Sequence, residues 1–414
     1  MINICGPQWS LRFLFGICAI LIACTQPAAP YALSHNNTKR HAFQQDHQLE
    51  ATQHSHDIKK ENVIVALFYR TYEYKGHLHR DDKLPPIKGA TIDDRRVTAF
   101  YRNIEIGLRD EGAVLNYTIV PDSVAPYIIG QRVKQYLARA TAFAFIGYPF
   151  EYYKNELPKI PKSIPVASID FPGDVGPHAL SKLDTVITSN NLAGGAKAAE
   201  LLCKGMSGEV GTVAILDMYQ PSKDSKGFVT HEPTIRDRVN GFKYQLTKRC
   251  KQDAIEADIT SVDQTDATNM TIDLLQDHPS IRGLFAVNDA LAIGAARAID
   301  ALGKGRNVNI VGFDGMPEAL AAILADRIYG EIQQSPHKMG VEAVKTIDDI
   351  LRNKPYKRIE LLTVVPRLHE DAPCDFALHH AEPISSDWFG EMVSETKAVA
   401  ACAFREDEAF YRQP

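Results

Sequence analysis

The sequence of 414 residues has no excess of basic charge and no dense run of Lys and Arg. Its 46 basic and 51 acidic side chains give a formal net charge of −5. A surface that binds nucleic acid neutralises phosphates with clustered Lys and Arg side chains. The charge therefore disfavours a DNA- or RNA-binding protein, and we expect no nucleic acid as a partner.

The sequence also lacks the motifs of several enzyme classes. It has no Gly-x-Gly-x-x-Gly after the first predicted strand, no Gly-x-x-x-x-Gly-Lys-Ser/Thr phosphate loop and no Gly-x-Ser-x-Gly nucleophile turn. His77 and His79 are close in sequence, but two histidines in a polar loop are more often solvated than metal-bound. We therefore predict a protein that is not an enzyme, with no catalytic residue, no cofactor and no metal.

Cysteines are few, and none of the seven has the spacing of a zinc site or a Cys-x-x-Cys redox pair. Three fall within the first 24 residues, which leaves an even number in the rest of the chain. Cys203 and Cys250 each end a predicted helix and could form a bridge. Cys374 and Cys402 could tie the C-terminal segment. The count fits an oxidising compartment, but the spacing does not fix either pairing.

No apolar run in the sequence has the length of a membrane-spanning helix. The run from Phe13 to Ala23, which follows Arg12, is too short to cross a bilayer and has the length of a signal-peptide core. It ends in Leu-Ile-Ala-Cys, which resembles the lipobox of bacterial lipoproteins. We expect residues 1–24 to be a lipoprotein-type signal peptide in which Cys24 is lipidated.

The segment that follows is polar. Residues 25–61 are rich in His, Gln and Asn from about residue 35 onward and contain few large apolar side chains, so they predict a flexible tether. Cleavage after Ala29 or Ser34, without a lipid, is the alternative. Either way the expected location is the periplasm or the cell envelope, with a possible lipid anchor as the only membrane contact.

From residue 62 the chain alternates between apolar β-branched runs and amphipathic segments, and this pattern occurs twice. Alternation of this kind predicts parallel strands joined by right-handed helical crossovers, hence an α/β fold with two lobes. The predicted strands are 63–69, 114–120, 142–146, 164–170, 211–216, 254–260, 283–287, 309–313 and 359–365. The predicted helices are 93–110, 126–139, 192–204, 234–248, 267–277, 291–302, 318–326 and 338–352.

Two of the apolar runs in the second set end in polar motifs. Val287 is followed by Asn-Asp, and Val311 opens Val-Gly-Phe-Asp-Gly. Polar groups at the carboxyl ends of parallel strands lie where open α/β sheets bind ligands. With Arg-Asp-Arg-Val-Asn-Gly-Phe at 236–242, these motifs resemble the second lobe of type I periplasmic binding proteins of the ribose-binding kind and of the related sugar-responsive repressors.

The resemblance implies two Rossmann-like lobes with parallel sheets, joined by a hinge of three chain crossings. We expect lobe 1 to comprise residues 62–189 and 335–360, and lobe 2 to comprise residues 190–334 and 361–367. Residues 368–414 form an extension beyond the minimal fold.

In lobe 2 the resemblance implies four ligand-binding residues. Asp289 matches a carboxylate that accepts hydrogen bonds from two sugar hydroxyls, although it also suits the N-cap of the following helix. Arg236 would point its donors into the cleft, Asn269 would bind a hydroxyl through its amide, and Gln334 matches a hinge glutamine that reaches the ligand. We expect Asp289→Ala to abolish binding while the fold stays intact.

Lobe 1 departs from the family pattern. A loop of about twenty residues from Arg70 to Ala90 replaces a short one, and Asp170 is followed by Phe where an arginine is usual. Asp170 and the aromatic rings of Tyr69 and Tyr72 are the expected ligand contacts here.

The resemblance predicts capture of a small polar ligand, a sugar or polyol, by hinge closure. Delivery to an ABC permease is the favoured role. Presentation of the closed form to a membrane histidine kinase or chemoreceptor is the alternative. A repressor is disfavoured because a polar tether stands where a DNA-binding domain would be.

Overall fold

The computed structural model describes residues 62–69, 92–170, 172, 181–207, 211–218, 222–223, 229–230, 233–251, 254–259, 264–303 and 307–371. The expectations for the signal peptide, Cys24, the tether, the 70–90 loop with Tyr72, and the pair Cys374 and Cys402 lie outside these residues.

The first lobe is built around a six-stranded sheet, and all its neighbouring strands pair in parallel. The opening run Val-Ile-Val-Ala-Leu-Phe-Tyr is buried nearly throughout, as expected for a strand covered on both faces. The strand order is β13-β5-β4-β3-β1-β2. Its elements are β1 Val63–Tyr69, α1 Ile92–Leu115, β2 Thr118–Val124, α2 Ile129–Tyr136, β3 Ala142–Ile146, α3 Phe150–Tyr153, β4 Val166–Ile169, β5 Thr185–Ser189, α9 Pro336–Leu351 and β13 Ile359–Leu362.

The second lobe repeats this arrangement in the order β14-β12-β11-β10-β6-β9, with only the edge strand β14 antiparallel to its neighbour. A small hairpin of Ser222–Lys223 and Val229–Thr230 (β7 and β8) stands apart from the main sheet. The remaining elements are α4 Asn191–Gly205, β6 Thr212–Met218, α5 Pro233–Cys250, β9 Ala254–Ile259, α6 Gln264–Asp277, β10 Ile281–Ala286, α7 Asp289–Ala301, β11 Asn309–Asp314, α8 Pro317–Leu324, β12 Gly330–Gln333 and β14 Val365–Arg367.

The predicted fold class, two Rossmann-like lobes of α/β architecture, is therefore confirmed, and the chain passes between the lobes three times. It leaves the first sheet after β5, returns after β12, and leaves again between β13 and β14. In both lobes the strand order reverses beside the first strand of the set, which places a topological switch point at the carboxyl edge of each sheet.

Some element boundaries differ from the prediction. The first helix extends to Leu115, so the second strand begins at Thr118 and not at Val114. Val114 is apolar and β-branched, which predicts a strand, but it lies 74% exposed on the last turn of that helix. The predicted strand 359–365 is two strands in different sheets, because the chain crosses between the lobes at residues 363–364. β5 and β12 were not predicted.

Close helix packing on each lobe depends on glycine pairs. In lobe 2, a Cβ on Gly195 would overlap the Arg238 carbonyl of α5, and one on Gly241 would overlap the Leu192 carbonyl of α4. Helices α1 and α9 of lobe 1 meet in the same way at Gly107 and Gly340. These glycine pairs let the two helix backbones of each crossing touch, which fixes the position of one helix relative to the other beside the sheet.

Cys203 and Cys250 form a disulfide with their Cα atoms 6.0 Å apart. The bridge joins the last turn of α4 to the last residue of α5, so it ties together the two helices that meet at Gly195 and Gly241. Among the described helices, none combines the length and the apolar character that a membrane crossing requires.

Candidate functional site

Polar side chains of lobe 2 gather where β10, β11 and β12 end. At their centre is Asp314, whose Oδ1 accepts hydrogen bonds from Arg238 Nη1 at 3.0 Å and from Gln334 Nε2 at 2.7 Å. Burial raises the pKa of Asp314, and the Arg238 charge and hydrogen bonds from Gln334 and the Asp289 backbone oppose that rise. Asp314 has a φ of 128°, a conformation that L residues rarely adopt, and these donors hold it there.

Arg238 is buried within lobe 2 and does not face the cleft as a free cation. Its Nε donates to Asn191 Oδ1 at 2.9 Å, its Nη1 donates to the Val287 carbonyl at 2.7 Å, and its guanidinium stacks 3.8 Å from the Phe313 ring centroid. This arginine bonds to α4 and to the ends of β10 and β11, so it holds together the elements that carry the candidate ligand residues.

Asp289 is the first residue of α7 and is only 1% exposed. Asn288 caps this helix through a 3.0 Å bond from Leu291 N, so the N-cap role that Asp289 could have filled belongs to its neighbour. The Asp289 Oδ2 accepts the Met316 N–H at 2.7 Å. The carboxylate is thus held at the carboxyl edge of the sheet but lies just below the surface.

The other predicted residues of lobe 2 occupy different environments. Gln334 follows β12 and is buried, and its side-chain amide donates a hydrogen bond to Asp314. Arg236 in the first turns of α5 and Asn269 on α6 are exposed and lie outside the group that surrounds Asp314. At the start of α4, Asn190 caps the helix, and its side-chain oxygen accepts a hydrogen bond from Ala193 N.

Lobe 1 presents aromatic rings at its carboxyl edge. Tyr69, which ends β1, stacks on Tyr152 with centroids 6.1 Å apart and meets the edge of Tyr148 at 5.4 Å. Tyr148 is fully buried, and its hydroxyl reaches the carbonyls of Phe68 at 2.7 Å and of Val124. Tyr152 is 49% exposed, so one ring of this cluster faces solvent.

Tyr101 of α1 is close enough to one carboxylate of each lobe for both to affect its pKa. Burial raises the pKa of Tyr101 well above its usual value, and Asp170 of lobe 1 and Asp314 of lobe 2 add to the rise. The ring occupies the space that a side chain at Gly147 would fill, and Gly147 has a φ of 72°. Asp170 also has a positive φ, 74°, and its carbonyl accepts the Thr188 hydroxyl at 2.7 Å.

The structure thus adds Tyr101, Tyr148, Tyr152 and the buried Glu331 to the predicted residues. In the sequence, Tyr148 and Tyr152 are marked only by their position shortly after the end of β3. Tyr101 lies on α1 and has no such signal. Among the described residues, no group of three or more His, Cys, Asp and Glu side chains is arranged to hold a metal ion.

The fold and the polar strand ends define a class, the two-lobed binding proteins with type I topology. Residues 160–355 match the model of the family described as periplasmic binding protein domain. Over these residues, a little under half of the chain, the sequence therefore carries a periplasmic binding protein domain, and the resemblance seen in the motifs is confirmed.

Two curated relatives are similar to this part of the chain. The ribose import binding protein of Bacillus subtilis strain 168 is 30% identical over 195 residues, 47% of this chain and 57% of that protein. The D-allose-binding periplasmic protein of Escherichia coli K12 is 28% identical over 167 residues, 40% of this chain and 50% of that protein. The chain therefore spans about half the length of these relatives, and both are named as binding proteins.

One similar solved structure is an ABC transporter periplasmic solute binding protein from Actinobacillus succinogenes 130z with bound D-allose. Its chain superposes with a TM-score of 0.60 at 18% identity, covering 75% of this chain and 99% of that one. At this identity the likeness establishes the shared fold.

Proposed function

We propose that this protein binds a sugar or polyol between its two lobes, in the periplasm, and delivers it to an ABC permease. The observation that carries the proposal is the group at the strand ends of lobe 2, where Asp289 and Gln334 flank the Asp314–Arg238 pair. Carboxylate and amide oxygens accept hydrogen bonds from hydroxyl groups, and the amide N–H donates to hydroxyl oxygens. The named relatives bind ribose and D-allose, which supports this class of ligand.

The ligand would meet both lobes. Asp289, Gln334, Arg236 and Asn269 act from lobe 2 and the hinge, with the two exposed residues swinging onto the ligand as the cleft closes. From lobe 1, Tyr69 and Asp170 act, joined by Tyr152, whose exposed ring suits the apolar face of a sugar. Tyr72 belongs to this set by position in the sequence. Closure around the ligand shifts a population of open molecules to a closed form.

The test is a thermal-unfolding screen of the purified protein against D-ribose, D-allose, polyols and amino acids. A ligand at a hundred times its Kd adds about 2.7 kcal/mol to the unfolding free energy, which gives a clear shift in Tm. We expect a shift with a sugar or polyol and none with the amino acids. A shift only with amino acids, or with nothing in the panel, would contradict the sugar assignment.

Delivery to a permease and presentation to a membrane sensor kinase or chemoreceptor differ in their cellular outcome. Deleting the gene removes uptake of the radiolabelled ligand if the protein serves transport. Uptake persists, and the transcriptional or chemotactic response to the ligand is lost, if it serves sensing. The 70–90 loop and most of residues 368–414, the two segments that go beyond the minimal fold, lie outside the described residues.

A lipid anchor at Cys24 completes the proposal for location. Metabolic labelling with a fatty acid should mark the wild-type protein, and Cys24→Ser should be unlabelled and released from the membrane fraction. Equal labelling of both proteins would exclude this site.

A further inference from the structure

Glu331 is an acidic residue on a fully buried strand. On β12 its neighbours across the sheet are Gly312 of β11 and Arg367 of β14, and its side chain is 0% exposed. Within the part of the chain that the structure describes, no N–H or hydroxyl group donates a hydrogen bond to either carboxyl oxygen. A buried carboxylate without donors is strongly disfavoured, so this position favours the neutral acid.

The neighbour of Glu331 is the candidate ligand residue Asp289. Gly312 has no side chain, and a Cβ there would lie 3.0 Å from Asp289 Oδ1 and 3.7 Å from Glu331 Cβ. The space left by this glycine therefore brings the two carboxyl groups together. Burial, and next the Asp289 carboxylate, raise the pKa of Glu331 well above its usual range. Two carboxyl groups can hydrogen-bond only if one of them keeps a proton.

Asp289 connects this pair to the contact between the lobes. Its Oδ2 accepts the Met316 N–H at 2.7 Å, and the Met316 side chain packs into the apolar cluster of lobe 1 that includes Ile169 and Leu362. The position of the Asp289 carboxylate therefore fixes both a candidate ligand acceptor and the backbone of a residue that contacts lobe 1.

We propose that Glu331 is a positioning residue that carries the proton holding Asp289 in place, so that ligand affinity falls when this proton is lost. The inference rests on the proposed function, because it takes Asp289 as a ligand acceptor. Three charged groups face Glu331: Asp289 from α7, Asp314 from β11 and Arg367 from β14. Only Arg367 favours the ionised form, and its Nε already donates to Gln333 Oε1 at 2.7 Å.

The direction of the pH effect follows from the raised pKa. An unfolded Glu titrates near about pH 4.3, and the folded protein holds the proton to higher pH. The stabilisation from this proton is fully present below the unfolded pKa and is lost as the pH rises through the folded pKa. Ligand affinity should fall over the same rise, by up to about tenfold per pH unit above the folded pKa.

The test compares wild-type protein with Glu331→Gln between about pH 5 and about pH 9. Glutamine keeps the size of the side chain and an N–H donor for Asp289, but it does not titrate. Urea unfolding measures stability without ligand, and calorimetry measures the affinity for D-ribose. We expect the wild type to lose stability and affinity with rising pH and Glu331→Gln to lose neither. Glu370→Gln, which changes an exposed acid, should keep the wild-type profile.

Two results would overturn the inference. Parallel stability profiles of wild type and Glu331→Gln would show that Glu331 does not hold the proton. Loss of D-ribose binding by folded Glu331→Gln at every pH would show that the carboxylate itself is required. If the wild type binds no sugar, the proposed function fails, and the unfolding curves without ligand still decide whether Glu331 is protonated.

A second variant covers the case in which Glu331→Gln does not fold. Asp289→Asn removes the neighbouring negative charge, so the pH range over which stability falls should end at a lower pH than in wild type. An unchanged range would contradict the shared proton.

Discussion

Asp289 is the residue on which the ligand proposal depends most. The structure also gives it a structural role, because its Oδ2 accepts the buried Met316 N–H. Alanine would leave that donor without an acceptor at a cost of about 1–3 kcal/mol, so loss of binding by Asp289→Ala would not by itself separate a ligand contact from this structural role. Asparagine retains an oxygen for Met316 and is the better probe.

We expect Asp289→Asn to weaken ligand binding by about 2–3 kcal/mol, roughly a hundredfold in Kd, because a charged acceptor is lost. Titration calorimetry with the best ligand of the screen measures this change. Asp273→Asn, on the exposed face of α6, is the matched control and should bind as wild type. Equal affinities of Asp289→Asn and wild type would remove Asp289 from the site.

Tyr152 provides the test for lobe 1. Its ring is 49% exposed, and we expect its contact with the ligand to contribute about 0.5–1.5 kcal/mol, the magnitude of an aromatic pair. Tyr152→Ala should therefore raise the Kd by roughly fivefold with little change in Tm without ligand. Tyr356→Ala changes a tyrosine of the same lobe that is 40% exposed and lies before β13, at the opposite edge of the sheet. If both variants bind equally well, Tyr152 does not contact the ligand.

At the residue scale, the sequence predicted Asp289 because it follows a recognisable strand end, and Gln334 because its position matches a hinge glutamine of the family that the sequence resembles. Glu331 was not predicted, because its importance depends on the register that places it opposite Gly312 and beside Asp289. Registers between strands that are distant in the chain are not visible in a local pattern.

At the scale of elements, the bridge between α4 and α5 has a measurable effect. It closes a loop with a sequence separation of 47 residues, for which loop-closure entropy gives about 4 kcal/mol of stabilisation. We expect the double variant Cys203→Ser with Cys250→Ser to lose stability of this order in urea unfolding. Reductant should lower the stability of wild type towards that of the variant and leave the variant unchanged. A wild type that is insensitive to reductant would contradict this role.

Strands and helices of both lobes were largely predicted, because a buried parallel strand is a continuous apolar run and its helices are amphipathic. The errors occur where contacts with distant parts of the chain, and not the local sequence pattern, determine the secondary structure. The segment 359–365 is apolar throughout, but its two halves join different sheets because the hinge divides them. β12 is fully buried, but two of its four residues, Glu331 and Gln333, are polar, so the sequence does not show the continuous apolar run that predicts a buried strand.

For the molecule as a whole, ligand binding should draw the lobes together. We expect the radius of gyration from small-angle X-ray scattering to decrease when saturating ligand is added, because contacts from both lobes favour the closed form. Asp289→Asn at the same ligand concentration should show a smaller decrease. An unchanged radius for saturated wild type would mean that binding occurs without closure.

The three chain crossings also set an order for folding during synthesis. Helix α9 and strand β13 complete the core of lobe 1, where Met339, Val344 and Leu362 pack with Ile64 and Ile104, yet they follow nearly all of lobe 2 in the chain. A chain that emerges from its N-terminus therefore presents the complete sequence of lobe 2, apart from its edge strand β14, before lobe 1 can close its own core. Lobe 1 remains an incomplete sheet from the end of β5 at Ser189 until β13 ends at Leu362, so the nascent protein has to be kept from aggregating while these residues are made, a span of roughly 9–35 s at common synthesis rates.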